Sequence, residues 1–119
     1  LKHAYRWLRP MVRQRSDLRG VRGCNLAIWR SDLLRVNGYN EDFVGWGRED
    51  SELAVRLMNS DVRRLDVRGR ALCYHLWHPV VSRAALEVND HLLAEAQNSG
   101  ATRCQNGVDQ YITEDFYRR

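Results

Sequence analysis

Acidic side chains are concentrated in residues 45–57, which form the block Gly-Trp-Gly-Arg-Glu-Asp-Ser-Glu-Leu-Ala-Val-Arg-Leu. If this block continues as a helix, Leu53 and Leu57 lie on one apolar stripe, and Asp50 projects onto the middle of that stripe at the first turn. The helix dipole favours the ionised form of a carboxylate in the first turn, and an ionised carboxylate at the edge of a core can act as a general base. A role as a helix cap is the alternative that these residues leave open for Asp50.

Two further acids flank Asp50, and we expect different roles for them. Glu52 precedes Arg56 by four residues, so the two side chains can pair, and we expect this pair on the outer side of the helix. Glu49 lies nearer the glycine-rich loop and is better placed to hydrogen-bond a bound molecule. Asp50 is therefore the predicted base, Glu49 the predicted binding residue, and Glu52 a structural one.

Two histidines form a second group of residues that could do chemistry. His75 ends a predicted strand over residues 71–76, and His78 follows three residues later beside Pro79. Residues i and i+3 of a continuous strand point to opposite faces, so both rings reach one metal ion only if the chain turns at residues 76–77. Accidental proximity is the alternative for this pair. A metallohydrolase built on the two histidines lacks a convincing third ligand.

The elements that must position these side chains alternate between helices and strands. Apolar spacing predicts helices over residues 1–12, 32–37, 50–59 and 82–100, with a last short helix after Gly107 that contains Val108, Ile112 and Phe116. Strands are predicted over residues 24–29, 64–68 and 71–76, with a charged connector over 13–23 and a loop over 39–47. The pattern predicts an α/β fold, or α+β as an isolated piece, with few strands flanked by helices.

Composition excludes several classes of protein. The chain has 119 residues, a formal net charge of +4 and 44% apolar residues, which argues against a disordered tail. It contains no apolar run of about 20 residues, so we expect no transmembrane span. Its three cysteines are widely spaced, which argues against a disulfide framework or a structural zinc site and fits a reducing cytoplasm. A small basic nucleic-acid-binding module remains an alternative because arginines cluster over residues 13–22.

The block at residues 45–57 resembles the signature of inverting nucleotide-sugar glycosyltransferases with the GT-A fold. It is similar to the C-terminal region of β-1,4-galactosyltransferases, and more similar to bacterial family-two enzymes, including chondroitin-polymerase-like and lipopolysaccharide-core transferases. The resemblance covers roughly residues 22–79, including the segments at 22–26, 37–43 and 71–79. It implies that the chain is a single domain fragment, with a helix and basic connector at 1–21, the motif region at 22–79 and C-terminal helices at 80–119.

The resemblance implies specific roles on the acceptor side of the reaction. Asp50 would deprotonate the acceptor hydroxyl, and Glu49 would bind the acceptor or orient the loop. Trp46, between Gly45 and Gly47, would pack on a sugar and move with loop closure. Asn25 is a further expected substrate-binding residue. This chain carries Arg48 where galactosyltransferases have a third glycine, so we expect a stiffer loop.

The resemblance also implies a metal ion and missing parts. His75 would ligate Mn²⁺ or Mg²⁺ bridging the donor diphosphate, with His78 as the second choice. The sequence contains no Asp-x-Asp motif, which such enzymes carry in their nucleotide-binding half. We therefore expect an acceptor-side, C-terminal half that is inactive alone, lacks its N-terminal nucleotide-binding half and self-associates through the surface left exposed.

The expected activity and location follow from the same resemblance. The partners would be a nucleotide-sugar donor and a saccharide acceptor, with no nucleic acid. The setting would be lipopolysaccharide or other surface polysaccharide synthesis in the cytoplasm. For the arginine-rich N-terminal residues, contact with the inner face of the membrane and a solvated helix face are the two alternatives. A non-catalytic interaction module is the alternative.

Overall fold

The chain folds into a small α+β arrangement, described by a computed structural model for residues 13–67, 71–79 and 81–113. Within these residues the elements follow the order β1 (Arg13–Arg15), α1 (Arg30–Arg35), α2 (Glu49–Asn59), β2 (Arg64–Asp66) and α3 (Leu86–Ser99). Short 3₁₀ helices form at Gly23–Asn25 and Val108–Tyr111. The last helix, predicted to contain Val108, Ile112 and Phe116, is found only as the 3₁₀ turn Val108–Tyr111, with Ile112 after its end. Phe116 and the helix predicted over residues 1–12 lie outside the described residues.

The sheet consists of β1 and β2, which pair antiparallel with Arg13 opposite Asp66 and Arg15 opposite Arg64. The predicted strand at 64–68 is confirmed over Arg64–Asp66. Its partner β1 lies where the sequence predicts only a charged connector. The sequence Arg-Gln-Arg has no apolar alternation, so nothing in its pattern distinguishes it from a loop.

Two predicted strands are absent from the described part of the chain. Residues 24–29 begin in the 3₁₀ helix and then run extended without a ladder, and residues 71–76 have no regular secondary structure. Alternating apolar residues favour extended backbone, but a strand forms only where that backbone finds hydrogen-bonding groups on a neighbour. His75 is therefore not at the end of a strand.

Helix α1 ends in a Schellman motif. The helix covers Arg30–Arg35 rather than the predicted 32–37, and Trp29 is its N-cap. Asn37 takes the left-handed C′ position with φ 68°, and Gly38 follows with φ 70°. The amide of Gly38 donates to the carbonyl of Leu33 at 2.8 Å, which closes the motif.

Helix α2, predicted over 50–59 and found at Glu49–Asn59, carries the core. Its Leu53 and Leu57 pack with Val36 after α1, and the partly buried apolar residues around them are Ile28, Leu33 and Val62. The expected pair of Glu52 and Arg56 forms, with Arg56 Nε 2.7 Å from Glu52 Oε1. The expectation that it lies on the outer side is wrong, because Glu52 is 2% exposed and Arg56 is fully buried.

The buried guanidinium of Arg56 joins α2 to the end of α1. Besides both carboxylate oxygens of Glu52, it donates to the carbonyls of Val36 and Gly38. These carbonyls follow the last turn of α1 and need donors once they are buried. The ion pair is buried because these additional acceptors satisfy the guanidinium away from water.

Helix α3, predicted over 82–100, is found at Leu86–Ser99 and packs against α2. It ends at Gly100, whose φ of 67° is the left-handed conformation that glycine favours. Its apolar residues face inward, since Ala96 is buried and Leu86, Leu92 and Leu93 are partly buried. Among the described residues no helix is both long and apolar enough to cross a membrane.

Candidate active site

The carboxylate of Asp50 lies in the first turn of α2 and is held by two donors from elsewhere in the chain. The backbone amide of Gly23 donates to Oδ2 at 2.6 Å, and the phenol of Tyr39 donates to Oδ1 at 3.1 Å. The N-cap residue Arg48 makes no side-chain cap bond, and Asp50 directs its oxygens to Gly23 and Tyr39. Asp50 is partly buried and faces these two groups instead of joining the apolar stripe.

Gly23 allows the backbone to approach Asp50 closely. A Cβ atom on Gly23 would collide with Oδ1 of Asp50 and would lie 3.0 Å from its Cγ and Oδ2. Any side chain there would displace either the carboxylate or the backbone amide that binds it. The position of Asp50 therefore depends on a residue 27 positions earlier in the chain.

Tyr39 is a site residue that the sequence did not single out. Burial raises the pKa of its phenol to about 12, and the negative charge of Asp50, their hydrogen bond and the charge of Glu49 act in the same direction. The phenol is therefore protonated at neutral pH and can donate to Asp50 there. Its signal in the sequence was its place directly after Asn37-Gly38, the turn that ends α1.

Glu49 opens α2 beside Asp50 and leaves one oxygen without a partner. Among the described residues, its Oε2 is the one buried side-chain oxygen or nitrogen without a hydrogen bond. A buried carboxylate oxygen without a donor is costly, so it favours a bound group that can donate to it. The hydroxyl of a sugar is such a group.

Residues 44–48, which we call the tryptophan loop, lead into α2. Gly45 has φ 79° and Gly47 has φ 108°, and Arg48 adopts a left-handed φ of 79° without being a glycine. Trp46 is 41% exposed, and the guanidinium carbon of Arg83 lies 4.7 Å from the centre of its ring. The loop thus presents a partly exposed aromatic ring three residues before Glu49 in the chain.

The buried side chain of Asn89 on α3 lies against this loop and was missed by the sequence reasoning. Its Nδ2 is 2.9 Å from the carbonyl oxygen of Gly47, 3.3 Å from that of Val44 and 3.5 Å from that of Trp46. The sequence feature that could have indicated Asn89 is its place as a single amide on the apolar face of the predicted helix, three residues after Leu86 and four before Leu93.

Asn25 lies in the 3₁₀ helix beside Gly23 and contacts the histidine-bearing segment. Its Nδ2 is 3.5 Å from the carbonyl oxygen of Ala71, and its Oδ1 accepts from the thiol of Cys73 at 3.3 Å. Asn25 therefore connects the amide that binds Asp50 with residues 71–73. A direct contact with substrate stays a prediction for this residue.

His75 and His78 come together although residues 71–79 form no strand. Their Nε2 atoms are 3.0 Å apart, and both side chains are exposed. Nδ1 of His78 donates to the carbonyl of Pro79 at 3.0 Å, so Nε2 of a neutral His78 accepts the hydrogen bond from Nε2–H of His75. Binding of one ion by both Nε2 atoms therefore requires the proton of His75 to move to its Nδ1. No cluster of three or more metal-ligating side chains occurs in the part of the chain that the structure describes.

The separation of the two imidazole nitrogens is compatible with one ion. Two ligands at right angles, each about 2.1 Å from an ion, are about 3.0 Å apart. A metal held here would need its remaining ligands from a bound phosphate or from another part of the protein. The two histidines fit a shared ion in number and spacing only as part of a larger ligand set.

Comparison with known proteins gives a consistent picture. Residues 7–79 match the family model described as the N-terminal domain of galactosyltransferase. Chondroitin sulfate N-acetylgalactosaminyltransferase 1 from mouse and from human is 40% identical to the chain over 52 residues, which is 42% of this chain and 9% of the relative. No solved structure matches.

A bacterial relative matches a shorter segment. Validoxylamine A glucosyltransferase of Streptomyces hygroscopicus subsp. jinggangensis (strain 5008) is 52% identical over 33 residues, which is 28% of this chain and 8% of the relative. The chain therefore matches less than a tenth of the length of these curated relatives. The family description names an N-terminal domain, so these matches do not support the expectation of a C-terminal half.

Proposed function

This chain belongs to the galactosyltransferase domain family, and on that premise we propose that its site transfers a sugar from a nucleotide-diphosphate donor to a saccharide hydroxyl with inversion. The observation that carries the proposal is the Asp50 carboxylate, fixed by the Gly23 amide and the Tyr39 phenol at the start of α2. Glu49 precedes it directly in α2, and Trp46 of the tryptophan loop precedes it by four residues. A base, a hydrogen-bonding carboxylate and an aromatic ring are the groups that we propose for acceptor activation.

In this proposal Asp50 is the general base. The acceptor oxygen attacks the anomeric carbon as its proton passes to Asp50, and the bond from that carbon to the diphosphate oxygen breaks with the electron pair leaving on the phosphate. A carboxylate has about four acceptor positions, of which Gly23 and Tyr39 use two. The remaining positions are free to accept the hydroxyl proton.

Glu49 and Trp46 would hold the acceptor sugar. The unpartnered Oε2 of Glu49 would accept from one sugar hydroxyl, which relieves the cost of its burial. The exposed part of the Trp46 ring would pack on the apolar face of the sugar, with Gly45 and Gly47 allowing the loop its left-handed turns. Asn25 would position the acceptor or the segment at residues 71–73.

His75 and His78 would hold Mn²⁺ or Mg²⁺ together with the donor diphosphate. The pair of Nε2 atoms 3.0 Å apart supports two adjacent ligands of one ion. Such an ion would supply positive charge that stabilises the departing diphosphate. This chain would contribute the two imidazole rings. The carbonyl of Pro79 would keep the proton of His78 on Nδ1, which leaves Nε2 for the ion.

We further propose that the chain forms the acceptor side of a larger GT-A enzyme, C-terminal to a nucleotide-binding half that supplies the remaining metal ligands. The absence of Asp-x-Asp from this sequence and the two-ligand histidine pair support this arrangement. Alone, the fragment would be inactive. The setting would be surface polysaccharide synthesis, such as that of lipopolysaccharide, at the cytoplasmic face of the membrane.

Two of the four arginines over residues 13–22 pair within the protein. Arg15 and Arg19 lie 2.9 and 3.7 Å from Asp17, and Arg64, outside the cluster, lies 3.6 Å from it. Guanidinium groups paired in this way are less available for phosphates, so we propose no nucleic-acid partner.

The metal part of the proposal is tested in the full-length enzyme by the Mn²⁺ concentration that gives half-maximal transfer. His75→Ala should raise that concentration at least about tenfold, because loss of a ligand weakens metal binding at least as much as loss of its supporting groups. His91→Ala, on the exposed side of α3, is the matched control and should leave it unchanged. If His75→Ala has no effect and His78→Ala does, His78 is the ligand and the choice of His75 is wrong.

A further inference from the structure

Asn89 is a buried residue whose side-chain amide nitrogen donates to one loop. It is 1% exposed in the first half of α3, on the face that packs against the rest of the protein. Its two Nδ2 hydrogens are shared among three carbonyl oxygens, those of Val44, Trp46 and Gly47. A single side chain thus fixes the direction of three peptide groups on both sides of the Trp46 side chain.

Neighbouring residues of α3 and of the segment before it contact the same loop from other sides. Asp90 accepts from Nε of Arg48 at 2.5 Å, at the end of the tryptophan loop. Arg83 lies over the ring of Trp46 at 4.7 Å. A Cβ atom on Gly45 would be 3.2 Å from Cβ of Ala85, so the loop backbone rests directly on the start of α3.

These contacts matter because of the backbone conformation of the loop. Gly45 and Gly47 adopt positive φ angles without steric cost but do not prefer one conformation, and Arg48 has a positive φ of 79° that an arginine rarely adopts. Such a loop keeps one shape only where its surroundings fix it. The buried amide of Asn89 is the most central of these surroundings, because it binds the carbonyl groups on either side of the tryptophan.

We propose that Asn89 is a positioning residue for the acceptor, which holds the tryptophan loop so that the ring of Trp46 faces the sugar beside Asp50 and Glu49. The inference rests on the proposed function, because the acceptor site is part of that proposal. Asn89 takes no part in the chemistry and does not touch the donor. Its loss displaces the acceptor, and a displacement of about 1 Å can cost about 10²-fold in rate.

The test uses Asn89→Asp in the full-length enzyme, because aspartate has the shape of asparagine but presents oxygen atoms to the three carbonyls in place of a donor. The matched control is Asn98→Asp, the same change at an exposed position of the same helix. One readout is steady-state kinetics with separate acceptor and donor KM values. The other is the fluorine resonance of Trp46 in protein labelled with 5-fluorotryptophan, assigned by its loss in Trp46→Phe.

We expect Asn89→Asp to raise the acceptor KM at least about tenfold, to leave the donor KM within about twofold, and to shift or split the Trp46 resonance. Asn98→Asp should match the wild type in all three. A normal acceptor KM overturns the proposal, whether or not the resonance moves. An equal loss for donor and acceptor also overturns it, because that is the result of general destabilisation.

Two further measurements keep the result decisive. If Asn89→Asp does not fold, as judged by circular dichroism, Asn89→Ser is used, since its single short hydroxyl cannot reach three carbonyls, and the same outcomes apply. Asp50→Asn is measured in parallel. If it loses turnover while Asn89→Asp behaves as wild type, the proposal for Asn89 alone is wrong; if Asp50→Asn keeps turnover, the proposed function is wrong.

Discussion

The orientation of the Asp50 carboxylate depends on single residues that are far from it in the chain. Gly23 contributes a backbone amide and the space that a side chain would fill, and Tyr39 contributes a phenol that stays protonated. These two donors hold the carboxylate in one orientation. The effect is mutual, because the charge of Asp50 is one of the causes that raise the pKa of the Tyr39 phenol.

Tyr39 therefore reports on the charge of Asp50. In the wild type it should titrate near pH 12, and Asp50→Asn should lower its pKa by removing a negative charge while keeping an oxygen acceptor. The pKa should remain above the ordinary value of 10.0, because burial, the largest cause, is unchanged. The titration is followed by NMR of ring-labelled tyrosine, assigned with Tyr39→Phe, and Asp61→Asn is the control.

The same coupling predicts a change of stability at high pH. The folded state binds the phenolic proton of Tyr39 more tightly than the unfolded state does. The contribution of this proton to the free energy of unfolding is therefore complete below about pH 10 and is lost as the pH rises towards 12. Tyr39→Phe should remove this part of the decline. An unchanged Tyr39 pKa in Asp50→Asn would show that the two groups are not coupled in solution.

At the scale of elements, α2 connects the core to the site. Its first turn carries Glu49 and Asp50, its buried face carries Leu53 and Leu57, and Arg56 fastens it to the end of α1. The helix was predictable because its apolar spacing is regular over three turns. The burial of the Glu52–Arg56 pair could not be predicted. The i, i+4 spacing predicts that the two side chains pair, but it does not indicate that carbonyl groups at the end of α1 surround the guanidinium.

Arg56→Met should strongly destabilise the protein. It leaves Glu52 buried without its partner and removes the donors to the carbonyls of Val36 and Gly38. Removing one member of a buried ion pair typically costs about 3–5 kcal/mol of the free energy of unfolding. Denaturant unfolding measures this, with Arg63→Met, the same change at an exposed position, expected within about 0.5 kcal/mol of the wild type.

A double variant separates the pair from the packing around it. Replacing both Glu52 and Arg56 by Met removes the uncompensated charge, so it should recover part of the stability lost in Arg56→Met. A loss below about 1 kcal/mol in Arg56→Met would contradict the buried pair, since that is the range of exposed ion pairs.

The strands and the loop contacts show where sequence patterns stop being informative. β1 has no apolar alternation and forms because β2 supplies its partner, whereas residues 71–76 have the pattern and no partner among the described residues. Likewise, the motif at 45–57 indicates Asp50, Glu49 and Trp46, but Tyr39 and Asn89 become site residues only through folding. Contacts between distant segments carry this information, and one sequence does not display them.

At the scale of the whole molecule, the chain belongs to the galactosyltransferase domain family and exposes an apolar surface. The segment at residues 71–79 exposes large apolar side chains, with Tyr74 at 91%, Trp77 at 88% and Leu76 at 82% exposure. These residues adjoin the histidine pair, where the proposed nucleotide-binding half would approach. We propose that this surface is covered in the full-length enzyme and causes self-association of the isolated chain.

The most direct test of the account is the turnover of Asp50→Asn in the full-length enzyme. The change keeps the shape of the side chain but removes its basicity, so turnover should fall at least about 10²-fold, with donor binding and the free energy of unfolding little changed. Asp61→Asn, an exposed aspartate just beyond the other end of α2, should retain normal turnover. Near-normal turnover of Asp50→Asn would contradict the account and would transfer the role of base to Glu49.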